Sequence, residues 1–147
     1  MPLEIIKMNE ENYKEVAALA LENLAEAWSE RTFWEQLSNP NDYCFCAYYD
    51  GKIAGFLDVW NVLGEVDINN IAVSEDFRRK GIAFALINEM EKHFSSALSC
   101  TLEVRESNEK AILLYRKCGF KEVGRRKNFY NAPTEAAIIM KKLWRDK

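Results

Sequence analysis

The chain has 147 residues, 48% of them hydrophobic, 12% aromatic and 29% charged, which suits one domain with its own core and rules out a mainly disordered chain. Lys and Arg number 20 against 23 Asp and Glu, a net charge of −3 that speaks against a general nucleic-acid binder. No apolar run approaches the roughly 20 residues needed to span a bilayer, so no membrane partner is expected.

The opening, MPLEIIKMNEENYKE, turns acidic within a few residues and lacks the basic-then-apolar layout of a secretory signal. A cytoplasmic location is expected, with reduced thiols at Cys44, Cys46, Cys100 and Cys118. None of these cysteines lies in C-x-x-C spacing, and the one histidine, His93, falls in an amphipathic helical stretch. No metal site is expected. Cys44 and Cys46, two apart on a strand, should face one way as small buried hydrophobes.

In chain order, LEIIKM (3–8) reads as a short strand. Asn9 is the expected N-cap of a helix over about 10–26, with Tyr13, Val16, Ala17, Ala20, Leu24 and Trp28 recurring at helical spacing. Ser29 opens a second helix that stops at Asn39-Pro40. Strands over 43–50 and 52–63 are joined at Asp50-Gly51, a hairpin signal, and a third strand covers 65–74 after Gly64. A helix is expected over about 80–96, with Ala83, Leu86, Ile87, Met90 and Phe94 as its apolar stripe. CTLEVR (100–105) is a strand. Ser107 or Asn108 opens a helix carrying Ala111, Leu114, Tyr115 and Cys118, which Gly119 closes. FKEVGRRKNFY and AAIIMKKLW form two last strands with a turn around 131–134, and Arg125-Arg126-Lys127 is read as a solvated strand end. The order β-α-α-β-β-β-α-β-α-β-β predicts an α/β fold, an α+β-like mixed sheet with helices on both faces, as one domain over 1–147.

The most informative segment is NIAVSEDFRRKGIA, residues 70–83, where a strand leads through a polar turn into a helix. A helix's first turn leaves backbone N–H groups unpaired, and its dipole favours an anion there. Gly81 and Ala83 let a diphosphate approach the backbone. Arg78, Arg79 and Lys80 put positive charge where acidic residues are normally preferred, which points to a bound anion as one reading and a solvated basic turn as the other. Neither the Walker A pattern nor G-x-G-x-x-G is present.

R-x-x-G-x-A after a strand ending I-A-V resembles the acyl-CoA pyrophosphate loop of the GNAT superfamily of N-acetyltransferases. The element order is similar to that acyl-CoA N-acyltransferase fold along nearly the whole chain. WSERTF (28–33), DINNIAV, LEVRESNEKAILLYRKCGF (102–120), RRKNFY (125–130) and AIIM (137–140) together resemble the RimI-type ribosomal-protein alanine N-acetyltransferases. The resemblance implies acetyl-CoA as cosubstrate, with backbone groups of Asn70, Ile71, Ala72 and Val73 along the pantetheine arm. It also implies the turn Arg78, Arg79, Lys80, Gly81, Ile82 and Ala83 at the pyrophosphate, and a cofactor contact from Asn108. The chain departs from the family pattern in three places. Ala83 stands where many members have Gly, Ser74-Glu75-Asp76 replaces an acidic-proline pair, and the last hairpin is short.

Acetyl transfer from a thioester to an amine needs a base for the amine, donors for the oxyanion and a proton for the leaving thiolate. Glu103, between Leu102 and Val104, alternates away from its apolar neighbours, and the resemblance makes it the general base. Burial in the acceptor cleft would raise its pKa. By periodicity alone Tyr115 is a core residue. The family pattern N-x-x-A-x-x-x-Y, here Asn108, Ala111 and Tyr115, makes its phenol the general acid at the coenzyme sulfur. Trp28, Ser29 and Tyr130 resemble the parts that frame the acceptor, while core packing accounts equally for Trp28 and Phe33. The expected reaction acetylates a protein N-terminal amine, by resemblance the N-terminal alanine of small-subunit ribosomal protein eighteen. The alternatives are a GNAT enzyme for a small-molecule amine, or an inactive CoA-binding module.

Overall fold

The computed structural model describes residues 2–131 and 133–144. Its elements are β1 (Leu3–Lys7), α1 (Tyr13–Asn23), α2 (Glu30–Gln36), β2 (Asp42–Tyr49), β3 (Lys52–Val62), β4 (Glu65–Val73), a 3-10 turn (Glu75–Phe77), α3 (Ile82–His93), β5 (Ser99–Arg105), α4 (Glu109–Lys117), β6 (Lys121–Tyr130) and β7 (Glu135–Leu143). The strands form a seven-stranded sheet in the order β1-β2-β3-β4-β5-β7-β6. Every pairing is antiparallel except β4 with β5. This is the expected mixed sheet with the expected element order.

Strand alternation divides the core into two layers. On one face Phe45, Ala47, Leu57 and Val59 pack against Ile82, Leu86, Ile87 and Met90 of α3 and Tyr115 and Cys118 of the α4 segment. On the other, Cys44, Cys46 and Phe56 meet Val16, Ala17, Leu19 and Ala20 of α1 and Phe33 of α2. All four cysteines are buried and free, and Cys44 and Cys46 face one way as expected. Burial holds the Cys44 thiol well above its ordinary pKa.

Both ends of α1 and of α3 differ from expectation. Asn9 does not cap α1. Its side chain accepts from the amides of Glu11 and Asn12, Asn12 accepts back from the Asn9 amide at 2.7 Å, and the helix starts at Tyr13. That helix ends at Asn23, because Leu24 is extended (φ −124°, ψ 135°), so Trp28 lies in the α1–α2 loop. Nor does α3 begin at 80. Arg79 and Gly81 both have left-handed φ, which holds the helix start back to Ile82, and Phe94 lies past its end. Part of the expected last turn, Ala132, lies outside the described residues. Arg125 and Arg126 are exposed yet ion-paired, with Glu106 at 2.7 Å and Glu103 at 3.6 Å.

Gly55 sets the spacing between β3 and β4. A Cβ there would sit 2.8 Å from the Ala72 carbonyl oxygen and 3.4 Å from Ile82 Cγ2. Gly55→Ala should cost about 1–3 kcal/mol, by overpacking against backbone that cannot rotate away. A denaturant midpoint shift at unchanged m-value checks it.

Candidate active site

Pairing of β4 with β5 stops after three residues, Glu65↔Ser99, Val66↔Cys100 and Asp67↔Thr101. Just beyond, Asp58 pairs with Asn70 while Val59 pairs with Ile68, so Asn69 is an extra residue bulging out of β4. A bulge bends its strand and strengthens the local twist. Here β4 keeps its pairing to β3 through Val73 while its other edge parts from β5. The opened sheet leaves a cleft of about 310 Å³, lined by Ile68–Ile71 of β4, Leu102–Arg105 of β5, Asn108, Tyr115, Tyr130 and residues 23–26 after α1. Beyond Asp67, the edge of β4 that faces β5 has no strand partner among the described residues, and its backbone can receive an extended ligand arm as a strand would.

Tyr115 is 6% exposed, and its hydroxyl takes no partner among the described residues. Burial pushes its phenol above the ordinary value, and Phe120 lies against the ring at 6.0 Å. Glu103 leaves β5 on the opposite side from buried Leu102 and Val104. The expected burial of this carboxylate is absent, since its side chain is 34% exposed and pairs with Arg126. Glu103 also lines an adjoining recess of about 330 Å³ with Trp60, Asn69 and Arg126, so it stands between the two spaces. The Tyr130 phenol is pushed up to about 12, by burial first and then by the negative charge of Glu103. Asn108 caps α4, its side chain accepting from the Ala111 amide at 3.2 Å.

At the head of α3, Gly81 adopts φ +73° with open space where a Cβ would lie. No side chain caps the helix and no acidic residue occupies its first turn. Among the described residues, no acceptor takes the amides from Arg79 through Phe84. The polypeptide thus leaves these donors and the helix dipole free for an anion. The Ile82 side chain is buried in the core, so this residue offers only its backbone. Arg78 donates to Asn23 Oδ1 at 3.4 Å, which joins the turn to the cleft wall, and Lys80 Nζ lies 5.0 Å from the Tyr49 ring centre.

Two of the expected acceptor-framing residues do not line the cleft. Trp28 packs edge-on against Phe33 at 5.5 Å, with Trp60 at 6.4 Å, and the Ser29 hydroxyl caps α2 by accepting from the Thr32 amide. The sequence reading missed Arg105, whose side chain is 17% exposed. It donates to Glu26 after α1, to Glu135 of β7 at 3.1 Å and to the carbonyls of Asn131 and Pro133, and it lies 4.5 Å from the Tyr130 ring centre. Arg105 thereby ties the α1–α2 loop to the last hairpin across one end of the cleft. Among the described residues no cluster of three or more His, Cys, Asp or Glu could hold a metal ion, and no helix is long and apolar enough to cross a membrane.

Residues 12–120 match the acetyltransferase (GNAT) family model. The chain belongs to the GNAT acetyltransferase family. A relative from Escherichia coli K12 named ribosomal protein bS18-alanine N-acetyltransferase is 42% identical over 136 residues, covering 84% of this chain and 87% of the relative. A Salmonella typhimurium protein of the same name is 38% identical over 133 residues, with the same coverage. The crystal structure of the Escherichia coli ribosomal-protein-S18-alanine N-acetyltransferase superposes with a TM-score of 0.89, at 31% identity, over 96% of this chain and 93% of that one. This GNAT chain is an acetyl-CoA-dependent N-acetyltransferase. The parted β4 and β5 are the part of its fold that opens the cleft described above.

Proposed function

We propose that this chain, acting as one domain over 1–147, transfers the acetyl group of acetyl-CoA to the α-amine of the N-terminal alanine of ribosomal protein bS18. The observation that carries this reading is the joint placement of Glu103 and Tyr115 on one cleft beside the open edge of β4. Relatives at 38–42% identity that carry the bS18-alanine name support the acceptor. Such an acceptor also sets the place of work in the cytoplasm.

In this reading the free amides from Arg79 to Phe84, with Arg78 and Lys80 beside them, take the pyrophosphate. The pantetheine arm runs along Asn70–Val73 as a substitute strand, and Asn108 lies at the cofactor's side of α4. Glu103 accepts a proton from the incoming ammonium or through one water, and the amine nitrogen then attacks the thioester carbonyl. When the tetrahedral adduct collapses, the C–S bond breaks and the thiolate takes the Tyr115 hydroxyl proton, while the nitrogen sheds its second proton to water and the phenol regains one from solvent. Trp28 and Ser29 act on the acceptor indirectly, by shaping the α1–α2 loop, whereas Tyr130 faces it. The test is intact-mass analysis of a peptide carrying the bS18 N-terminus after incubation with acetyl-CoA and the chain. One added acetyl on the α-amine is expected. Modification confined to polyamines or free amino acids in a parallel panel would overturn the acceptor.

A further inference from the structure

Behind the cleft lie two carboxyl groups that the reaction does not use, one fully buried and one half-buried. Asp58 on β3 is fully buried, and its Oδ2 accepts from Asn69 Nδ2 at 3.0 Å. Asp42 on β2 lies diagonally across the ladder from Asp58, since Cys44 pairs with Asp58 and Asp42 with Trp60. Asp42 Oδ2 and Asp58 Oδ1 have no hydrogen-bond partner among the described residues, and one proton shared between the two carboxyls would satisfy both. Burying the Asp58 carboxyl where Cys44 and Phe56 make an apolar layer is costly, and an apolar residue of similar size would fit more cheaply. What the acids hold is the one residue of β4 that has no opposite number in the ladder.

We propose that Asp58, backed by Asp42, is a positioning residue for coenzyme binding: by holding Asn69 it fixes the bulge that turns β4 away from β5 and so sets the width of the cleft. The inference rests on the function proposed above and adds a determinant to its donor site. A bulged residue loses its ladder partner and needs another restraint to keep one conformation. The donor bond from Asn69 ends on a desolvated oxygen, where hydrogen bonds are strong. Asp58 also titrates far from the ordinary carboxylate range, pushed up to about 10 by burial and then by Asp42, while burial raises Asp42 to about 6. The groups facing the pair are Lys7 from β1, Cys44 and Cys46 from β2, Trp60 from β3 and Asn69 from β4. Lys7 is the one cation among them.

Coenzyme A titration by calorimetry on the full chain, with Asn69→Ala and Asp58→Asn, tests this. Asn69 is only part-buried, so its variant is expected to fold, and melting curves check that it does. Asn69→Ala should weaken coenzyme A about fivefold or more and raise the KM for acetyl-CoA without a matching fall in kcat. Asp58→Asn keeps an oxygen for Asn69 and gains a permanent donor toward Asp42, so it should bind within about twofold of wild type. It should also flatten the stability profile. In wild type the folded chain keeps the Asp58 proton while the unfolded chain releases it, so stability falls as pH rises from about 4 toward about 10. Asn69→Ala binding less than about fivefold weaker than wild type, or Asp58→Asn binding as weakly as Asn69→Ala, overturns the inference alone. A wild-type chain that takes up no coenzyme A overturns both this inference and the function beneath it.

Discussion

Tyr115→Phe should lower kcat for acetyl transfer by about 10²-fold or more while leaving coenzyme A affinity in place. The hydroxyl has no protein partner among the described residues, so removing it orphans no neighbour there, and phenylalanine fills the same space beside Phe120. In the proposed reaction the missing proton would be felt only as the C–S bond breaks. Because burial raises the phenol pKa, the donor stays protonated beyond the usual range near 10. Wild type should therefore lose no activity through Tyr115 as pH rises to about 9. Steady-state kinetics with the bS18 N-terminal peptide at saturating acetyl-CoA check both points. A kcat within about twofold of wild type would remove Tyr115 from the chemistry.

Glu103→Gln gives the second large effect, a fall of about 10²-fold in kcat/KM for the peptide at neutral pH. The deficit should narrow as pH rises, and the sign follows from the acceptor. An α-amine has a pKa of about 8, so above that value it is already neutral and needs no base. Below it, the variant must wait for the rare deprotonated amine, and the gap to wild type is widest. Stability should change little, because the pair with Arg126 is exposed and such pairs contribute about 0–1 kcal/mol. A ratio of wild type to variant that stays constant from pH 6 to about 9 would assign Glu103 to binding in place of proton transfer.

Much of this architecture can be read from periodicity, because each long element buries one face. The α3 stripe of Leu86, Ile87 and Met90 and the alternation of Leu102, Glu103 and Val104 need no tertiary context to be recognised. Element ends were less legible. Asn9 and Asn12 are equally good capping residues, and a reciprocal side-chain bond decides between them. The cleft's shape was not legible at all. Asn69 bulges because of how β3 and β4 register, and its partner Asp58 lies 11 positions away. Arg105 looks like one more strand residue until the chain closes and brings up Glu26, separated by 79 positions. Trp28 and Ser29 show the converse: motif likeness marked them as acceptor contacts, and local packing accounts for where they sit.

The three-pair seam between β4 and β5 makes the sheet two leaves sewn together for a short stretch at one end. In the proposed binding mode a pantetheine arm in the gap would act as a splint, its amides supplying the ladder rungs missing between β4 and β5. Occupancy and rigidity are then one variable. At a hundred times the dissociation constant, a ligand bound only by the folded chain adds about 2.7 kcal/mol. Much of that gain falls on the stitching that keeps the leaves at a fixed angle. Each turnover would therefore loosen and tighten the same joint, which sets catalysis and mechanical compliance on a common footing.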